Sequence, residues 1–232
     1  MVRIALYQMA DRGSWRENIN AACRAIEACK ADFICLPELF AVPITVKDIF
    51  YAWVISVEAL SALKLASMRS SSYVIAGSLI ERTLDAYYNT CYVLRRGHVI
   101  GKYRKMRPTE SELKAGIKPG SEPLLIKSEH GVIGVLICAD ILHEDVVERV
   151  ASKCDILFLP ISISNPRHPR VEGHPVSSRV ACKYGIVVAK VARIGVINGF
   201  KVGSKSAIVT PSSIHEASSD LDEELLEAEV HL

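Results

Sequence analysis

The sequence predicts an α/β fold: one domain covering residues 1–232, built on a mixed sheet or pair of sheets. Three observations lead there. Apolar runs of strand length alternate with stretches of helical period along most of the chain. Two of the runs meet at a glycine turn, as a hairpin requires, so the sheet is more than a simple parallel wind. No linker, internal repeat or low-complexity tract interrupts the chain.

"VRIALYQM" (residues 2–9) reads as a buried strand. "SWRENINAACRAIEACK" (14–30) follows as a helix, with Ser14 and Glu17 at capping-box spacing and Ile19, Ala22, Cys23, Ile26 and Cys29 on one face. "DFICLP" (32–37) is a short strand ending at Pro37-Glu38, residues 52–69 are a helix, and "SYVIAGSLIE" (72–81) is a strand. "TCYVLRRGHVIGKYRK" (90–105) holds two strand-like runs around Arg95-Arg96-Gly97. "GVIGVLIC" (131–138), "CDILFLPIS" (154–162) and "IVVAKVA" (186–192) are strands, separated by helices over 145–153 and 176–185. "SKSAIVTP" and "ELLEAEVHL" are closing strands around a polar loop, 212–224.

Half of the residues are hydrophobic and 23% are charged, enough for a sizeable core and too apolar for disorder. A net charge of +2 with scattered Lys and Arg argues against a nucleic-acid binder. No apolar stretch approaches the roughly 20 residues of a membrane-spanning helix, so no membrane role is expected. The N-terminus does not read as a signal peptide. Seven Cys without one point to free thiols in a reducing, cytoplasmic setting. There is no C-x-x-C and no His at zinc-ligand spacing, so no metal site is expected.

In α/β folds reactive groups collect where strands end and the chain turns outward. Glu38 follows "DFICLP", Lys105 follows "GHVIGKYR", and Cys138 ends "GVIGVLI". Together they form a workable set: a thiol nucleophile, a carboxylate to take its proton, and an ammonium to favour thiolate and oxyanion. Each alone has a plainer reading, as buried thiol, solvated strand end or basic loop. Ser162 and Ser164 sit just past a strand end and are candidate pocket residues, or plain loop serines. The loop 165–175, "NPRHPRVEGHP", is a candidate mouth loop or an exposed connection. Asp140 fits a backbone-fixing role, and His143 a surface one.

Three segments, in this order, resemble motifs of the nitrilase superfamily of carbon–nitrogen hydrolases: "ICLPELF", "GKYRKMRP" and "GVLICADILHEDV". Weaker similarity extends from Val2 to the C-terminus. The resemblance implies a four-layer α-β-β-α sandwich and a catalytic Glu38-Lys105-Cys138 triad. It implies no metal and no organic cofactor, and a homodimer or larger assembly. It also implies a second glutamate after the lysine, taken as Glu112 with Glu110 as the alternative. Ala139 stands where many members carry an aromatic, which alters one wall of the substrate pocket. His143-Glu144 replaces the usual proline before the acid, and Lys190 stands where asparagine is usual.

The expected activity is hydrolysis of a non-peptide carbon–nitrogen bond through a cysteine thioester. The substrate would be a small linear amide or carbamoyl-amine, less readily a nitrile. Two other readings stay open: an isochorismatase-type Cys-Lys-Asp amidohydrolase, and a non-catalytic interaction protein on the same fold.

Overall fold

The computed structural model describes residues 1–163 and 174–232. In chain order the first half contains β1 (Val2–Ala10), α1 (Trp15–Ala28), β2 (Phe33–Cys35), α2 (Ile49–Met68), β3 (Tyr73–Ile75), β4 (Leu79–Arg82), β5 (Tyr87–Arg95), β6 (His98–Arg104) and α3 (Glu110–Lys114). Next come β7 (Leu125–Ser128), β8 (Gly131–Val135), a 3-10 turn (Cys138–Leu142), α4 (Glu144–Ala151), β9 (Ile156–Ser162) and α5 (Pro175–Tyr184). β10 (Val187–Ile197), β11 (Phe200–Val202), β12 (Ala207–Val209), β13 (Ile214–Glu216) and β14 (Glu224–Val230) follow.

The strands run in the order β4-β5-β3-β2-β1-β10-β9-β8-β7, with β14 on β1, β6 on β5 and β12 on β10. β1 divides its length between two neighbourhoods. Val2–Gln8 pair antiparallel with β14, while Met9 and Ala10 meet Arg193 and Ile194 of β10 in parallel. The sheet therefore curls at the end of β1 and faces itself. Phe33 of β2 and Phe158 of β9 lie with ring centroids 5.5 Å apart across the gap. α1 and α2 cover the outside of the β1–β3 half. α4 and α5 cover the β8–β10 half. This is the expected α-β-β-α layering.

Local chemistry accounts for the elements. Ser14 Oγ caps α1 by accepting from Glu17 N–H at 3.4 Å. The β5–β6 hairpin turns through Arg96 and Gly97, both at positive φ, as the expected glycine turn requires.

Four expectations need correction. α2 begins at Ile49, behind the Asp48 cap that accepts from Tyr51 N–H at 2.6 Å, rather than at residue 52. The single strand over 72–81 is two strands, because Gly77, at φ 43, bends the chain against Pro37; a Cβ there would lie 2.1 Å from the Pro37 carbonyl oxygen. Within the polar loop 212–224, Ile214–Glu216 form β13 against β12. Finally, α2 is long and apolar enough to cross a membrane by length and composition, with a mean hydropathy of 1.5 over its richest window. Scattered Ser, Glu58 and Lys64 break its apolar run in the sequence and hide that property. Ala52, Ile55, Ala59, Leu63 and Ala66 form its buried face.

Candidate active site

Glu38 is delivered by the turn after β2 and is buried. Its two oxygens have different partners. Oε1 accepts from Lys105 Nζ at 2.8 Å and from Asn89 Nδ2 at 2.9 Å. Oε2 accepts from the Ser162 backbone N–H at 2.9 Å. The residue that follows, Leu39, sits at φ 51, a left-handed conformation that costs an L-residue about 1–2 kcal/mol.

Lys105 directly follows β6, and its side chain is 1% exposed. Its N–H donates to Asn89 O, and its carbonyl accepts from Gly120 N–H, both at 2.8 Å. The ammonium is shared between Glu38 and Glu112 Oε2, each 2.8 Å away. Burial works against this charge, but Glu38, Cys138 and Glu112 outweigh it and raise the Lys105 pKa.

Glu112 is held by the start of α3. Thr109 Oγ1 accepts from Glu112 N–H, and Glu112 Oε2 accepts from Thr109 N–H at 2.7 Å, a complete capping box. Its Oε1 accepts from Asn89 Nδ2 at 2.7 Å. Burial raises the Glu112 pKa, but Lys105, Asn89 and Thr109 more than reverse it, and the net shift is downward. Glu110 points elsewhere: it is an exposed partner of Lys114.

Cys138 follows β8 at the point where the strand becomes a 3-10 turn, at φ 48. Asp140 fixes that turn. Its buried carboxylate accepts from Ile137 N–H at 3.1 Å, Arg107 N–H at 2.7 Å and Tyr103 Oη–H at 2.8 Å. The Tyr103 and Arg107 bonds also tie the Cys138 turn to the segment carrying Lys105. The Cys138 thiol faces the Ser162 carbonyl at 4.0 Å. Burial and then the charge of Glu38 push its pKa up, against the opposing pull of Lys105.

The structure thus brings Glu38, Lys105, Glu112 and Cys138 together. Ser162 enters through its backbone, linking Glu38 to Cys138, and Ala139 is partly exposed beside Cys138. Asp140 does fix backbone, and His143 is exposed at the start of α4. Ser164 and residues 165–173 of the candidate mouth loop lie outside the described residues. Sequence reasoning missed Asn89, which stands between Tyr88 and Thr90 in β5 with no local signal of its role. Gln8, where the isochorismatase-type reading needs an acid, is bonded to Ser219 O, Asp222 O and Ser206 N. Among the described residues no cluster of three or more His, Cys, Asp or Glu is placed to hold a metal ion.

Comparisons with known proteins point the same way. The profile of the Carbon-nitrogen hydrolase family matches residues 3–232. Omega-amidase NIT2 of Bos taurus is 30% identical over 172 residues, 68% of this chain and 62% of that protein. A nitrilase of Pyrococcus abyssi is 28% identical over 163 residues, 69% of this chain and 60% of its own length. The chain therefore spans less than two thirds of these relatives. An amidase from Nesterenkonia sp. superimposes with a TM-score of 0.84 at 20% identity, covering 99% of this chain and 90% of that one. Its fold is shared; one of its variants shows the acetamide moiety of fluoroacetamide added covalently at the active site cysteine. By the extent of the family match, this chain belongs to the carbon-nitrogen hydrolase family.

Proposed function

We propose that the protein hydrolyses a small linear amide through a thioester on Cys138. The observation that carries this reading is the division of labour on Glu38: Oε1 is occupied by Lys105 and Asn89, while Oε2 faces the Ser162–Cys138 side.

Glu38 takes the Cys138 proton as sulfur attacks the amide carbonyl. Lys105, with the backbone N–H near Ala139, stabilises the oxyanion that forms. Collapse breaks the C–N bond, and Glu38 passes its proton to the departing ammonia. Water then attacks the thioester, with Glu38 again taking a proton. The acid leaves and the thiol is restored, so amide and water become carboxylic acid and ammonia. Glu112 and Asn89 orient Lys105 and Glu38 throughout.

The amide class is supported by the omega-amidases among the relatives and by a Nesterenkonia amidase variant described in complex with butyramide. Carbamoyl-amines fit the same chemistry, and nitriles less well. The test is ammonia release from a panel including butyramide, with mass spectrometry of the peptide containing Cys138. An acyl adduct there supports the proposal. A Cys138→Ala variant that retains activity ends it.

A further inference from the structure

We propose that Arg193, anchored by Asp11, is a positioning residue for Glu38: it fixes the turn behind that carboxylate through the carbonyls of Leu39 and Val42. The inference rests on the reading of Glu38 as the base.

Arg193 lies within β10, opposite Ser162 of β9 in the parallel register. Its side chain is 4% exposed. Nη1 donates to Leu39 O at 2.9 Å, and Nη2 donates to Val42 O. Nη2 also lies 3.1 Å from Asp11 Oδ2, and that oxygen accepts from Ile44 N–H at 2.7 Å. Asp11 is itself fixed, accepting from Gly13 N–H and Asn18 Nδ2 at 3.0 Å each. One buried ion pair therefore grips the backbone at residues 39, 42 and 44. The grip is close: a Cβ on Gly195 would fall 2.0 Å from Ile44 Cδ1.

The gripped turn begins at the strained residue. Leu39, left-handed, has its N–H bonded to Ser78 Oγ at 3.1 Å and its carbonyl bonded to Arg193. A leucine at positive φ persists where its surroundings hold both backbone groups, and such positions mark functional turns. A buried guanidinium is costly to desolvate, and here most of its bonds go to the loop beside Glu38 rather than to sheet closure.

The experiment measures iodoacetamide alkylation of Cys138 by peptide mass spectrometry, in Glu38→Gln, Arg193→Met, Arg193→Lys and the Glu38→Gln/Arg193→Met double variant. Glu38 is the base that takes the thiol proton, so Glu38→Gln slows alkylation at a fixed, neutral pH. Loss of Arg193 releases Glu38 from its place and slows alkylation about tenfold. In the Glu38→Gln background it adds nothing, because its route runs through Glu38. Butyramide hydrolysis falls about 100-fold in Arg193→Lys, mainly in kcat. Leu39→Gly, which adopts the turn without strain, restores part of it. Wild-type alkylation in both Arg193 variants, or an equal slowing with and without Glu38, overturns the assignment. An unchanged or faster rate in Glu38→Gln overturns the reading of Glu38 itself, and the assignment with it.

Discussion

Asn89 donates to Glu38 Oε1 at 2.9 Å from a strand that lies 51 residues further along the chain. The same Nδ2 reaches Glu112 Oε1 at 2.7 Å, so one amide joins two carboxylates that also share Lys105. Both partners are acceptors, which fixes the amide orientation. Asn89→Ala removes two charge-assisted hydrogen bonds, each worth about 1.5–3 kcal/mol. Amide hydrolysis is expected to fall about 100-fold, since part of that energy holds the base in its reactive pose. Asn89→Asp, equal in shape, places a third carboxylate in the cluster and falls further. Steady-state ammonia release checks both; activity in Asn89→Asp equal to wild type contradicts the account.

The second glutamate separates in the same way. Glu112 is largely buried and bonded to Lys105, Asn89 and Thr109, whereas Glu110 is an exposed partner of Lys114. Glu112→Gln keeps the shape but removes one of the two carboxylates on Lys105. It is expected to lower kcat by about tenfold or more while leaving the fold intact. Glu110→Ala changes stability by less than about 0.5 kcal/mol and leaves turnover unchanged. The reverse order of effects in paired kinetic and urea-melt measurements would reassign the role.

The sequence makes the strand-end residues legible because burial is written into the runs before them: a polar group after "DFICLP" or "GVIGVLI" has to emerge at an end. It even contained the sign that favours Glu112, since Thr109 and Glu112 stand at capping-box spacing. Asn89, Arg193 and Asp11 carry no such mark. Each is one polar residue among others in or beside a strand, and its role depends on which strands pair, across 150 residues or more in the case of Arg193 and Leu39. Pairing order is set by the packing of the two sheet halves, which local periodicity does not encode. The break at Gly77 was hidden for the same reason: its cause is the distant Pro37 carbonyl.

Cys138 occupies a left-handed backbone conformation that is unfavourable for an L-residue. At φ 48, a residue with a Cβ is strained and glycine is not. Cys138→Gly should therefore be about 1 kcal/mol more stable than Cys138→Ala, although both are inactive. Urea unfolding of the two variants measures the difference directly. Equal midpoints, or a more stable alanine variant, would show that the turn is relaxed.

Glu81 predicts how the site scaffold responds to acid. Its carboxylate takes Arg104 in a two-pronged pair, with Nε at 2.9 Å and Nη2 at 2.7 Å. Lys102 and Thr90 add bonds at 2.6 and 2.9 Å. These contacts tie β4, β5 and β6 together, one residue away from both Asn89 and Lys105. Burial pushes the Glu81 pKa up, but Arg104, Lys102 and Thr90 win and bring it down to about 2. A folded-state value below the unfolded one means that the stabilisation is complete above about pH 4.5 and is lost as pH falls towards about 2. Because the cluster is partly solvated, screening reduces its worth to about 1 kcal/mol. Wild type should therefore lose about 0.6 kcal/mol more than Glu81→Gln between about pH 7 and about pH 3 in urea unfolding. Parallel losses in the two proteins would place the acid sensitivity in other carboxylates, and would leave the β4–β6 clamp without an electrostatic role.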